Sequence, residues 1–222
     1  MKAIVITRWG GPEVLEWRDV EPLAPTPEGE IVQVKTAGMN FADLMTARGA
    51  YGGTPPPPLV AGREFCGSRT SDGKLVMGYS QWGAFAGQIA ANPDLLWPLP
   101  VGWSVEEGAA FPVNYFTAYL AYWKAGITAR SENPKVATRV LIHAVAGGVG
   151  TAAVQIGKLL GLEMYGTSSA DEKLRRVQEL GLQHPINYKQ QDYEQAVKDL
   201  TNGEGVDVAL ERLGGEHVAK SV

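Results

Sequence analysis

Hydrophobic and polar positions follow one pattern in the first half of the chain and a different one in the second. Up to about residue 112, short apolar runs are interrupted by Gly and Pro, and segment 31–36 alternates residue by residue like a half-buried strand. This pattern predicts a β-rich region. Its predicted elements are strands Lys2–Thr7, Glu30–Thr36, Lys74–Tyr79 and Ala84–Ala90, with a short helix over Asn40–Arg48.

Helical patterns begin beyond Trp103. Ser104 and Glu107 have the spacing of a capping box, in which the two residues satisfy each other's free backbone amides at a helix start. The following run, AAFPVNYFTAYLAYW, is too apolar for a surface helix and too short to cross a bilayer. We therefore expect an internal helix with a bend or break at Pro112.

From Arg139 onward, strands and helices alternate regularly. Such alternation, with helices of about ten residues, predicts βαβ units and a parallel sheet. The predicted strands are 140–144, 163–168, 184–187 and 206–210, and the predicted helices are 151–161, 170–180 and 192–200.

A glycine turn, V-A-G-G-V-G at 145–150, lies directly after the first of these strands and opens a helix. A dinucleotide pyrophosphate binds at such a turn because backbone amides and the positive end of the helix dipole face it. We expect Gly147 to let the backbone approach the phosphates and Gly150 to let the helix pack on the strand. Val145 replaces the first glycine of the ideal motif, so an ordinary turn before a helix remains the alternative.

The end of the second strand indicates which dinucleotide is bound. NAD-binding versions carry an Asp or Glu there for the ribose hydroxyls, but this strand ends in Ser168 and Ser169. Lys173 follows about one helical turn later, and hydroxyls with a nearby cation suit a 2′-phosphate. The pattern therefore favours NADPH. In the alternative reading, Lys173 is a solvated helix residue paired with Asp171 or Glu172.

Composition excludes several other functions. A net charge of −4 and a pI near 5.5 argue against a nucleic-acid or anionic-membrane partner. One cysteine and three scattered histidines predict neither a disulfide nor a zinc site. The chain shows no signal-peptide pattern and no apolar run near the roughly 20 residues of a membrane span. The sequence reads as that of a soluble, cytoplasmic protein.

Several motifs together resemble one family. They are MKAIV at the start, GMNFADLMTARGAY (38–51), GREF (62–65), EEGAAFPVNYFTAY (106–119), AVAGGVG (144–150), GTSSADEK (166–173) and NYKQQDY (187–193). Along essentially its whole length the sequence resembles the medium-chain dehydrogenase/reductases, in the zinc-independent quinone oxidoreductase branch that includes zeta-crystallin.

This resemblance implies an α/β protein with a GroES-like, β-rich catalytic domain (1–112) followed by a partial Rossmann domain, a doubly wound parallel sheet that binds NADPH (113–222). The implied reaction is hydride transfer from NADPH to a quinone or an activated enone or alkenal. The residues implied for catalysis are Asn40, Asp43, Tyr51 and Thr117. The residues implied for cofactor binding are Asn40, Thr117, Ala146, Gly147, Gly148, Val149, Gly150, Ser168, Ser169, Lys173 and Tyr188.

Each of these roles has a simpler alternative. Asn40 and Asp43 would also serve as caps of the short helix, and Thr117 and Tyr188 as core or surface residues. Arg63-Glu64 stands where zinc-dependent relatives carry His-Glu, and a protonated arginine cannot ligate zinc. We therefore expect no metal.

The four predicted strands are fewer than the six of a full dinucleotide fold. The sequence therefore predicts an incomplete sheet, which also lacks the edge that the family uses for its homodimer. Two hypotheses stay open at this point. One is an NADPH-dependent reductase of quinones or enones, and the other is a truncated, non-catalytic remnant with at most weak dinucleotide binding.

Overall fold

The computed structural model describes residues 1–22, 29–127, 138–211 and 214–221. These residues form two compact units, Met1–Val113 and Asn114–Val222. None of the helices in the described ranges is long and apolar enough to cross a membrane.

The first unit consists mainly of two antiparallel sheets. Its strands are β1 (Lys2–Ile6), β2 (Leu15–Asp19), β3 (Glu30–Gly38), β4 (Leu59–Val60), β5 (Glu64–Arg69), β6 (Leu75–Tyr79), β7 (Gln88–Ala91) and β8 (Leu96–Pro98). Its helices are α1 (Phe41–Ala47), α2 (Val105–Ala110) and the start of α3 (Pro112–Lys124). The sheet orders are β2-β1-β4 and β7-β3-β5-β6-β8. The central strand pair β3–β5 places Asn40 and Glu64 at neighbouring strand ends, with Gly38 opposite Glu64.

The second unit is a parallel sheet covered on both faces. Its strands are β9 (Arg139–Ile142), β10 (Glu163–Ser168), β11 (His184–Asn187) and β12 (Val208–Leu210), and its helices are α4 (Gly148–Leu159), α5 (Asp171–Leu180), α6 (Tyr193–Leu200) and α7 (Glu216–Lys220). The strand order is β11-β10-β9-β12. In chain order this is 3-2-1-4, as expected for the first four strands of a dinucleotide-binding sheet.

Alternate residues of β9 explain why both faces of this sheet are buried. Val140 and Ile142 join a core with residues of α4 and α5, whereas Leu141 joins another with Tyr193 and other residues of α6. Successive side chains of a strand point to opposite faces, so an almost continuous apolar run serves two cores.

Helix α3 corrects one expectation, because it is not internal on all sides. Ala118 and Tyr122 are fully buried, but Tyr119, Leu120 and Trp123 are 59%, 48% and 58% exposed. Residues four apart share a helix face, while the other side of the same helix is turned away from that core. The predicted break is present, since α2 ends at Ala110 and α3 begins at Pro112.

Two predicted elements differ from the observed ones by more than two residues at one end. The strand predicted over Ala84–Ala90 is Gln88–Ala91, because residues 84–87 follow Gly83 at φ 98° in an irregular path. The helix predicted from residue 151 begins at Gly148, with Gly147 as its N-cap. The glycines are therefore the first turn of α4 rather than a separate loop before it. The Ser104–Glu107 capping box is present as predicted.

Candidate functional site

The glycine turn forms one wall of a pocket in the second unit. Its volume is about 260 Å³. Ala144, Ala146, Gly147, Ser168, Ser169, Lys173 and Tyr188 line this glycine-turn pocket. The carboxyl ends of the neighbouring strands β9 and β10 bring residues from the glycine turn and from the end of β10 together, although the sequence separates them by about twenty positions. Six of the predicted cofactor residues thus share one cavity.

The start of α4 supplies backbone donors next to this pocket. The first amides of a helix have no intrahelical partner, and the helix dipole makes this end positive. Gly150 makes a tight contact with the turn that follows β9, because a Cβ there would lie 2.6 Å from the carbonyl carbon of Val145. A Cβ at Gly147 would lie 3.3 Å from the oxygen of Ala144.

Lys173 is the cation of the glycine-turn pocket. The two carboxylates that would neutralise it have other partners. Asp171 accepts hydrogen bonds from Asn187 at 2.6 Å and Gln190 at 2.9 Å, and Glu172 pairs with Arg176 at 2.9 Å. Among the described residues Lys173 forms no ion pair, and the pocket lining includes no Asp or Glu. The pocket thus presents an ammonium group and two serine hydroxyls, a set that suits a phosphate rather than a ribose diol.

Thr117 and Val149 lie elsewhere in the second unit. They line a separate pocket of about 290 Å³ with apolar residues of α3, α4, β9 and β12, and with Glu211. The structure therefore does not bring Thr117 into the glycine-turn pocket. His143, directly after β9, is buried, with Nδ1 3.0 Å from Thr167 Oγ1 and Nε2 3.0 Å from Ser221 Oγ.

Asn40 and Asp43 meet at the start of α1 in the first unit. The Asn40 backbone amide donates to Asp43 Oδ2 at 2.7 Å, so Asp43 does cap the helix, as the simpler reading predicted. The Asn40 side chain has a different partner, because its Nδ2 donates to Glu64 Oε1 at 2.7 Å. Asn40 therefore takes part in the capping box of α1 with Asp43, and Glu64 in addition holds its side-chain amide.

Glu64 is the site residue that the sequence reasoning missed. Its second oxygen, Oε2, accepts from the Val113 backbone amide at 2.8 Å, and the residue is 1% exposed. Burial raises the pKa of Glu64, against the lowering effect of its hydrogen bonds from Val113 and Asn40. Burial likewise raises the pKa of Asp43, against its hydrogen bond from Asn40 and the charge of Arg63.

Tyr51 joins this cluster through Arg63. The Arg63 guanidinium carbon lies 3.9 Å from the centroid of the Tyr51 ring, and Arg63 Nε lies 4.0 Å from Asp43 Oδ1.

Within the described ranges, no three His, Cys, Asp or Glu side chains are arranged as metal ligands.

A parallel sheet in this strand order, with a glycine turn after its first strand, defines the class of dinucleotide-binding α/β folds. Comparison with known proteins is consistent with that class. Residues 148–222 match the family described as zinc-binding dehydrogenase. The quinone oxidoreductase of Thermus thermophilus, whose structure was also solved with NADPH, is 34% identical with a TM-score of 0.86, over 99% of this chain and 69% of that one.

The Escherichia coli quinone oxidoreductase complexed with NADPH is 29% identical with a TM-score of 0.87, over 100% of this chain and 69% of that one. The human synaptic vesicle membrane protein VAT-1 homolog is 33% identical over 99% of this chain and 57% of its own length. The chain belongs to the quinone oxidoreductase branch of the medium-chain dehydrogenase/reductase superfamily. It spans about half the length of the VAT-1 homologs that it matches.

Proposed function

We propose that the protein carrying this chain is an NADPH-dependent oxidoreductase that reduces a quinone or an activated enone or alkenal without zinc. The glycine-turn pocket is the observation that supports the proposal most directly. Lys173 has no carboxylate partner among the described residues and lines the cavity with Ser168, Ser169 and Tyr188. An adenosine 2′-phosphate would satisfy that cation, and a cofactor without this phosphate would not.

The chain's own residues would divide the work as follows. Backbone amides at the start of α4 hold the pyrophosphate, and Lys173 holds the 2′-phosphate. Asn40, oriented by Glu64, and Tyr51 lie in the first unit, where they would contact the acceptor. When bound, NADPH supplies a hydride that, with one proton from water, reduces a quinone to a hydroquinone and leaves NADP⁺. The reaction then needs positioning rather than a side-chain nucleophile.

Zinc independence is supported by Arg63. It stands beside Glu64 at the position where the resemblance places a histidine of zinc-dependent relatives, and a guanidinium has no lone pair to offer a metal. The negative net charge favours a small-molecule acceptor over nucleic acid.

Titration and turnover test this function together. We expect NADPH to bind at least tenfold more tightly than NADH, and NADPH to be oxidised in the presence of 1,4-naphthoquinone after treatment with a zinc chelator. Calorimetry and the loss of NADPH absorbance measure the two effects. Equal affinity for the two cofactors would contradict the assignment of Lys173. Tight NADPH binding without turnover of any quinone or enone would instead favour the non-catalytic alternative.

Replacing Glu64 by glutamine should impair the reaction more than the fold. Glu64 accepts two hydrogen bonds, whereas a glutamine side chain has one acceptor and one donor group, so the Asn40 amide must turn over or lose its partner. We expect kcat/KM to fall about 10-fold, which corresponds to losing about one charged hydrogen bond. Steady-state kinetics measure the change. The exposed Glu106→Gln on α2 is the matched control, and an unchanged kcat/KM for Glu64→Gln would contradict the assigned role.

A further inference from the structure

Arg63 is an unusual residue in the first unit, because its positive charge is almost completely buried. The residue is 4% exposed, and its Nη2 donates to Thr46 Oγ1 at 2.8 Å. Its Nε and the Asp43 Oδ1 that lies 4.0 Å away have no hydrogen-bond partner among the described residues. Removing an arginine from water at such incompletely satisfied contacts costs stability. A small apolar residue would be easier to bury, so the contribution of Arg63 lies in another property of the guanidinium.

That property is its contact with Tyr51. The guanidinium carbon is 3.9 Å from the ring centroid, within the distance at which a cation over an aromatic face is attracted to it. Planar guanidinium groups also stack on rings in a defined orientation, which lysine cannot reproduce. One face of the Tyr51 ring is therefore held by Arg63, while the residue as a whole remains 42% exposed.

The backbone around Tyr51 is also restrained. Ala50 N donates to Met45 O at 2.9 Å, which ties the segment to α1, and Thr54 Oγ1 donates to Tyr51 O at 2.7 Å. Arg63 itself reaches α1 through Thr46. The residue is thus restrained at its backbone and across one face of its ring, while part of it remains exposed.

We propose that Arg63 is a positioning residue that holds the Tyr51 ring as a flat wall of the acceptor site, and that this wall selects planar aromatic quinones over short aliphatic enals. The inference rests on the proposed function, since it assumes that Tyr51 faces the acceptor. A flat ring already fixed in place stacks on another flat ring without losing side-chain entropy. An acyclic enal offers no comparable surface, so it gains little from the same wall.

A double-mutant cycle tests this coupling. The variants are Arg63→Met, Tyr51→Leu and the double variant, and the probes are 1,4-naphthoquinone and trans-2-hexenal with NADPH as donor. We expect Arg63→Met to raise the KM for naphthoquinone about tenfold in the Tyr51 background and by less than about twofold in the Tyr51→Leu background. The KM for hexenal and the dissociation constant of NADPH should change by less than about twofold. Equal losses for both acceptors, or equal losses in both backgrounds, would overturn the proposal.

Two further variants separate positioning from folding. Arg63→Met leaves Asp43 buried without its nearby cation, so Asp43→Asn combined with Arg63→Met removes both charges and should still show the naphthoquinone defect. Arg63→Lys keeps a cation near the ring but loses the planar contact and should recover only part of the wild-type KM. A wild-type KM for naphthoquinone in Arg63→Lys would show that the positive charge is sufficient, and would contradict the proposed planar contact.

Quinone binding can also be followed without turnover. A Cβ on Gly49 would lie 2.9 Å from Trp9 Cδ2, so the indole of Trp9 lies against the segment that carries Tyr51. Quinones quench indole fluorescence, and the part of the naphthoquinone quench that Trp9→Phe removes reports on this neighbourhood. Quenching that weakens in Arg63→Met without any NADPH oxidation would contradict the proposed function and support the role of Arg63. If naphthoquinone is turned over, but the quench and the KM are both unchanged in Arg63→Met, the result would support the proposed function and contradict the role of Arg63.

Discussion

Replacing Lys173 by alanine should weaken NADPH binding by roughly 10- to 100-fold and leave NADH binding within about twofold, since a hydrogen bond to a charged group contributes about 1.5–3 kcal/mol. Lys173 lines the glycine-turn pocket beside Ser168 and Ser169, and among the described residues it forms no ion pair that the substitution would break. The effect should therefore fall on the cofactor that carries the 2′-phosphate and not on the fold. Calorimetric titration of both cofactors measures it.

Arg176→Ala is the matched control for this prediction. Arg176 lies on the same helix, is exposed and pairs with Glu172 at 2.9 Å, so its loss should cost less than about 1 kcal/mol of stability and no cofactor affinity. A similar loss of NADPH and NADH affinity in Lys173→Ala would place Lys173 at the pyrophosphate instead. If neither the NADPH affinity nor the NADH affinity falls, Lys173 is a solvated helix residue.

Replacing Gly150 by alanine should lower the free energy of unfolding by about 3 kcal/mol, at the upper end of what overpacking costs. The new Cβ would lie 2.6 Å from the Val145 carbonyl carbon and 2.7 Å from the Ala144 oxygen, and backbone atoms at such distances have to move. Because the displaced turn is also a pocket wall, cofactor affinity should fall along with stability. Urea unfolding followed by circular dichroism gives the stability change.

Gly147→Ala separates the loss of stability from the loss of cofactor affinity. A Cβ at Gly147 would have its nearest neighbour, the Ala144 oxygen, at 3.3 Å, so the fold should lose no more than about 1 kcal/mol. The methyl group would still lie at the glycine-turn pocket, where the pyrophosphate is proposed to bind, and NADPH affinity should fall. Equal destabilisation by the two substitutions would contradict the packing role assigned to Gly150.

Local sequence patterns were sufficient to predict most of the strands and helices of the second unit. The strand Glu163–Ser168 and the strand His184–Asn187 have their predicted bounds, since each closely follows a glycine with positive φ at the end of the preceding helix. The strand order is that of the first four strands of the dinucleotide-binding fold, which the glycine turn and the alternation of strands and helices predict. The start of α4 was predicted three residues late, because glycine favours turns in isolation, whereas Gly148 and Gly150 lie in the first turn of this helix.

The first unit was less accessible from sequence because its contacts are distant along the chain. Glu64 accepts hydrogen bonds from Asn40, 24 residues earlier, and from Val113, 49 residues later, and no periodicity links such positions. The position of Arg63 over Tyr51 depends in the same way on where β5 lies relative to α1. For α3, composition indicated burial but could not distinguish a helix buried all round from one with a single buried face.

Ala144 has a backbone angle φ of 47°, which is costly for any residue with a Cβ. Its neighbours hold it there, because Val145 N donates to Thr167 O at 3.0 Å and Gly147 N donates to Ala144 O at 2.9 Å. The turn is thus already bent before any nucleotide arrives. On binding, conformational entropy is then lost mainly by the nucleotide, because the folded sheet already fixes the conformation of the turn.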